Sequence, residues 1–294
     1  MVVYVESINE SMFNYQLEMV NLQSSLAFDM EYAKYVNESE NTFIKIKNKV
    51  ISIIQRIIDF IKDKLGIKTK EVADKCEKKT EAKPKDSSNN NESKPKPKKE
   101  ERKDVYVVKD DILDSLERWV ENFVNVSLER RLNSLNYFKD WKNNKSVIKD
   151  ALTMHSDSFK EKGILQPLSD RTGVKITDSA SMISHLKQLI VKDSGYMEKW
   201  GQDNMSHSSF DRYMGKYKEQ IKNYTKLQES LTKALERYKN TIKKIDLTGA
   251  PSEILTIFND YNTTILHTID AHLGIITYIL QATNNKVSLP MHIG

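Results

Sequence analysis

Six histidines and one cysteine are the residues best suited to metal or nucleophilic chemistry, and they lie far apart: His155, His185, His207, His267, His272, His292 and Cys76. His267 and His272 are the nearest pair on one helical stretch. Five residues of α-helix separate them by about 140° of rotation, so they do not share a ligand face. The HExxH spacing that holds zinc on one helix face is absent, and so is any pair of close cysteines. The glycine-rich patterns that cradle phosphate, GxGxxG and GxxxxGK[ST], are missing too, as is the GxSxG turn of serine hydrolases. Carboxylates are abundant, with 41 Asp and Glu, but surface helices always carry them. Cys76 sits among charged residues without a nearby histidine and reads as a free, exposed thiol rather than a nucleophile. No catalytic residue, metal ligand or cofactor is therefore assigned.

Composition bounds the elements. Nine glycines and six prolines in 294 residues favour long helices joined by few turns. Mean hydropathy is −0.60 and 30% of residues are charged, as in a chain soluble overall. The formal charge of +5 is too small by itself to imply nucleic acid. A single cysteine excludes an intrachain disulfide and fits a reducing compartment. The start, "MVVYVESINE", lacks the basic region of a secretory signal. No run of 18 apolar residues suggests a transmembrane helix.

Helical periodicity divides the chain in three, and the fold class expected is all-α. Residues 1–67 read as an N-terminal amphipathic helical hairpin. Val5, Ile8, Met12, Tyr15, Met19, Leu22, Leu26, Met30 and Ala33 line one face of a first helix. After "NESEN" at 37–41, a second helix runs through "FIKIKNKVISIIQRIIDFIKDKL" and stops at Gly66, a natural residue for the C′ position. Residues 68–104 read as a disordered charged linker, helical at most to about Thr80. They hold thirteen Lys or Arg, nine Asp or Glu and three prolines, too little apolar surface to offset ordering entropy. Within it, "KPKPKKEERK" reads as a solvated spacer more than as a nucleic-acid tract.

Residues 105–294 read as a C-terminal helical bundle. One helix is expected from about Asp110 to Trp141, carrying Ile112, Leu116, Trp119, Phe123, Leu128, Leu132, Leu135 and Phe138 inward. A shorter one covers about 145–160, and another starts at Thr177 or Asp178. Tyr217, Ile221, Tyr224, Gln228, Leu231, Leu235, Tyr238, Ile242 and Ile245 keep heptad-like spacing. After "TGAPSE", with Pro251 at the N1 position, Ile254, Phe258, Tyr261, Ile265, Ile269, His272, Ile276 and Ile279 mark a final helix to about 282. These two long helices form an antiparallel hairpin, and the aromatic residues on the stripes, Trp119, Trp141 and Trp200 among them, are core rather than base-stacking groups.

The isoleucine helix carries the functional reading. With Phe43 as heptad position a, apolar residues fill a, b, d and e, over half the circumference. A two-helix seam uses only a and d. Ile51, Ile54, Ile58 and Ile61 form the expected contact face, flanked by Lys45, Lys49, Arg56 and Lys62. Residues 1–40 net −6 and residues 41–67 net +4, so charge complementarity pairs the two helices. One partner helix leaves a strip uncovered, available for assembly or for an anionic membrane surface.

The stretch "ESINESMFNYQLEMVNLQSSLAFDMEYAKYVNESENTF", followed by an Ile/Lys helix and a charged linker, resembles the N-terminal parts of virion proteins of large tailed bacteriophages, often packed inside the head. The resemblance covers about residues 5–67. It implies a non-enzymatic structural or cargo protein of the virion, made in the host cytoplasm, whose partners are other virion proteins or further copies of itself. It supplies no catalytic residues. The alternatives are a bacterial peripheral membrane protein bound through the same basic amphipathic helix, and an enzyme with its site in 145–215.

Overall fold

The computed structural model describes residues 40–81, 106–150, 169–170, 173, 183–192 and 206–289. Among these the chain is helical apart from one antiparallel pair of three-residue strands, β1 (Tyr106–Val108) and β2 (Ile190–Lys192), in the register Tyr106↔Lys192, Val107↔Val191, Val108↔Ile190. The helices are α1 (Glu40–Phe60), α2 (Gly66–Glu81), α3 (Asp110–Asn122), α4 (Leu128–Ser134), α5 (His207–Lys244) and α6 (Ser252–Ser288), with a further turn and a half at 145–150. The expected helix over residues 5–33, the linker from 82 to 104, and the rest of the helices placed at 145–160 and from 177 lie outside the described residues.

Two π turns weld shorter helices into rods. The Gly66 N–H donates to the Ile61 carbonyl, joining α1 to α2 through Ile61–Leu65. The Leu128 N–H donates to the Phe123 carbonyl, joining α3 to α4 through Phe123–Ser127, and a 3-10 turn, Leu135–Asp140, follows. The expected stop at Gly66 is thus corrected. Its backbone is right-handed helical, φ −60° and ψ −44°, and the helix runs on to Glu81. A glycine ends a helix where the left-handed conformation is adopted, which is not the case here. The linker's lower boundary moves accordingly, because Thr69, Val72 and Cys76 continue the buried stripe. The single helix expected from Asp110 to Trp141 is likewise segmented. A five-residue step in its apolar stripe, from Phe123 to Leu128, is the spacing of a π turn.

The rods form one bundle around α6. All ten residues from Ala271 to Leu280 are buried, as in a helix surrounded by protein. The α3–α4 rod runs antiparallel to α6: Lys286 near its end meets Asp110, Trp119 stands edge-on to His272, and Phe138 meets Phe258 near its start. Rod α1–α2 runs parallel to α6 and antiparallel to α5, with Phe43 against Phe258 and Cys76 Sγ at 3.8 Å from the Met214 carbonyl. Helices α5 and α6 are joined by a turn at Asp246–Ala250. There the Asp246 carboxylate accepts from the Thr248 N–H and hydroxyl, and Gly249 takes φ +70°. Pro251 sits at the N-cap, one residue before the position expected. The segment with β2 crosses α6 where Gly274 has no side chain. A Cβ there would stand 3.0 Å from Ile183 Cδ1, and one turn on the Tyr278 hydroxyl donates to the Leu186 carbonyl.

The α1–α2 residues and those of the other rods belong to one continuous apolar core. The expected division into a hairpin ending at 67 and a bundle beginning at 105 is corrected on this point: residues 40–81 are part of the bundle.

Candidate functional site

The residues expected to make external contacts lie on the α1–α2 rod, and the structure separates them by face. Ile54, Ile58 and Ile61 are at most 1% exposed, and Ile51 is half-buried against the same core. Lys45, Arg56 and Lys62 are exposed and Lys49 is half-buried. The apolar half that was expected to stay partly open is covered within the chain. The reason is geometric. A stripe filling four heptad positions meets two helices at once, α5 on one flank and α6 on the other, where one hairpin partner was expected. Ile44 and Ile67 remain exposed, at 48% and 58%, far apart along the rod.

Polar contacts seat the rod. Lys47 Nζ donates to the carbonyls of Lys243 and Ile245 at 2.8 and 2.7 Å, where α5 ends. Lys79 Nζ donates to the carbonyls of Val287 (2.8 Å) and Leu289, where α6 ends. The last turn of a helix has unpaired carbonyls and a partial negative charge, so each lysine satisfies both. Between these ends, Gln228 Nε2 donates to Thr69 Oγ1 at 2.7 Å, Lys75 Nζ to Asn284 Oδ1 at 2.9 Å, and Lys239 Nζ to Gln55 Oε1 at 2.8 Å. The sequence allows helix to about Thr80, and the helix runs to Glu81; what it did not show is that this half of the rod is packed into the core. The available signal was the spacing Leu65, Thr69, Val72, Cys76, which continues the isoleucine stripe in smaller side chains.

Cys76 is buried, which corrects the expectation of an exposed thiol. Burial pushes its pKa up, so it stays a protonated, inert thiol.

A second cluster lies where α3 begins. Asp110 accepts from Lys286 Nζ and, at 3.1 Å, from the Tyr217 hydroxyl, and pairs with Lys216 at 3.1 Å. Burial pushes the Asp110 carboxyl up, but Lys286 and Lys216 outweigh it and hold the group below its ordinary value. Lys286 is itself lowered by burial, partly offset by Asp110. Its side chain is only 2% exposed, while that of Asp110 is 41% exposed. Gln220 donates to Asp114 alongside at 3.0 Å. The cluster locks the register of α3 against α5 and α6.

His272 is wholly buried, stacked on Phe123 with centroids 3.6 Å apart, and its Nδ1–H donates to the Thr268 carbonyl at 2.8 Å. Burial lowers its pKa to about 3, so it is neutral. His267, five residues earlier, is exposed. Most of the 145–215 segment, the place considered for an enzyme site, is outside the described residues. Among the described residues no helix is long and apolar enough to cross a membrane. Comparison with protein-family models, curated proteins and solved structures finds no match to this chain.

Proposed function

We propose that the chain is a non-enzymatic structural or cargo protein of a bacteriophage particle, and that the bundle is its folded body, presenting charged helix faces to its neighbours. The observation that carries this reading is where the reactive side chains go. Lys286, Tyr217, His272, Cys76, Tyr238 and Tyr278 each engage a group inside the fold, as scaffold residues do. The particle assignment draws on the resemblance of residues 5–67. In this reading neighbours are met through the basic outer side of α1, with Lys45, Arg56 and Lys62, while its isoleucines hold the chain together. The peripheral-membrane alternative needs those isoleucines at the lipid, so it requires the rod to leave the core.

Mass spectrometry of gradient-purified particles from cells producing the protein tests the proposal. The chain is expected to co-sediment with the particle peak and to survive high-salt washing. Its presence only in the soluble or membrane fractions would overturn the assignment.

A further inference from the structure

Helix α5 carries a row of cations on its solvent side, and the row ends in a groove. Lys222, Lys226, Lys233, Arg237 and Lys244 are all exposed, at steps of four, seven, four and seven residues, with Glu229 the interruption. Those steps keep them on one face. The 23 residues from Lys222 to Lys244 span about 33 Å of helix. At the C-terminal end, the 3-10 turn comes up beside α5 and adds Lys139, so that Lys139, Lys233, Arg237 and Lys244 line one groove with Glu236 as its only acid. Thr232, Asn240 and Thr241 line it too and supply neutral hydrogen-bond donors.

Two of the nearby acids are engaged by cations, while Glu229 and Asp140 are exposed on the same surface. Glu129 pairs with Arg237, and Glu236 pairs with Lys239 at 2.5 Å. Lys139 donates to Asn136 Oδ1 at 2.7 Å, a neutral acceptor, and keeps its charge uncompensated. Among the described residues no carboxylate pairs with Lys139, Lys233 or Lys244. Beyond Lys139, Lys142 and Lys145 both lie over the Trp141 ring, 5.7 and 5.6 Å from its centroid, and extend the positive surface. The modest charge of the whole chain is therefore distributed unevenly.

We infer that this groove and the lysine row leading into it bind the phosphate backbone of a nucleic acid, without reading its sequence. A line of cations recurring every four or seven residues along one helix face, with hydroxyl and amide donors beside it, suits a polymer that carries a charge on every repeat. No apolar side chain lines the groove, which disfavours insertion into lipid. The inference does not rest on the particle assignment. A protein of any cellular location with this surface would bind the same polymer.

The test is fluorescence anisotropy of the full chain with a labelled 30-base-pair duplex of arbitrary sequence, titrated at several salt concentrations. Binding is expected at low salt, with log K falling linearly in log salt at a slope of about −4 for four or five phosphates neutralised. A second duplex of unrelated sequence is expected to bind equally. The double variant Lys233→Glu, Lys244→Glu changes exposed side chains and should keep the circular dichroism melt of the parent while weakening binding at least tenfold. A control with the same charge change elsewhere, Lys45→Glu with Lys62→Glu, should weaken it clearly less. Absence of binding at low salt overturns the inference, as does equal weakening by the two variants, which would make the effect one of net charge. Binding to phosphatidylglycerol vesicles without binding to either duplex would also overturn it.

Discussion

Ile58 and Leu231 sit on rods that the sequence assigns to separate modules, yet both are fully buried in one core. Replacing either by alanine should cost about 2–5 kcal/mol, the range for a large aliphatic side chain lost from a packed interior. Matched urea titrations check this, and a cost near zero for Ile58→Ala would return the isoleucine face to the surface. The Asp110–Lys286 pair makes an asymmetric expectation. Asp110→Ala takes the carboxylate from a buried ammonium and should destabilise by about 2 kcal/mol, less than for a fully buried pair because Asp110 is partly solvated. Lys286→Met keeps the stem and removes the charge, and should cost under about 1 kcal/mol. His272 supplies a pH dependence. Its folded pKa of about 3 lies below the ordinary 6.5, so above pH 6.5 it adds no proton to either state. As pH falls below 6.5 the unfolded chain takes up a proton that the folded chain refuses, and stability declines until about pH 3. By pH 4.5 the loss from this one group is about 2–3 kcal/mol. In His272→Phe the stability curve should be flatter between pH 6.5 and 4.5; an unchanged slope would mean the ring is accessible to protons.

At the level of elements, apolar spacing was enough to place the long helices. Each stripe residue read from the sequence on α3–α4, α5 and α6 is buried, including Gln228 and His272, which periodicity found in spite of their polarity. What spacing alone did not yield was how those stripes are shared. A heptad pattern reports how wide a face is and says nothing of which partners fill it; the helix expected over residues 5–33 lies outside the described residues, and the described partners of α1 are helices some 200 residues away. Residue type misled at α2, where lysines at Lys68, Lys70, Lys75, Lys78 and Lys79 hid a stripe of Thr69, Val72 and Cys76. It misled again at Gly66, where composition suggested a stop. The two strands, of three residues each, are too short to show an alternation. Gly66 gives a direct check on the π-turn geometry. A Cβ there meets only the Ile61 carbonyl oxygen at 3.6 Å, an ordinary contact, and φ is negative. Gly66→Ala should therefore raise stability by about 0.5–1 kcal/mol, as alanine does at a compatible helical position. A loss of that size in chemical denaturation would show that the helix ends there after all.

Over the whole molecule, the α1–α2 rod acts as a brace. It bridges the C-terminal ends of α5 and α6 through Lys47 and Lys79, and it covers flanks of both helices that would otherwise be wet. Small cores are marginal, so removing one rod of a shared core should weaken the remainder well beyond the sites touched. The most direct measurement is native-state hydrogen exchange, read by mass spectrometry, on the double variant Ile54→Glu, Ile58→Glu in the full chain. Two carboxylates placed in the core have no partner there and must expel the rod or ionise at high cost. The result expected is a large loss of protection throughout 207–244 and 252–288, together with α1. Unchanged protection in α5 and α6, with exchange confined to residues 40–81, would contradict the brace and make the isoleucine helix a separable module.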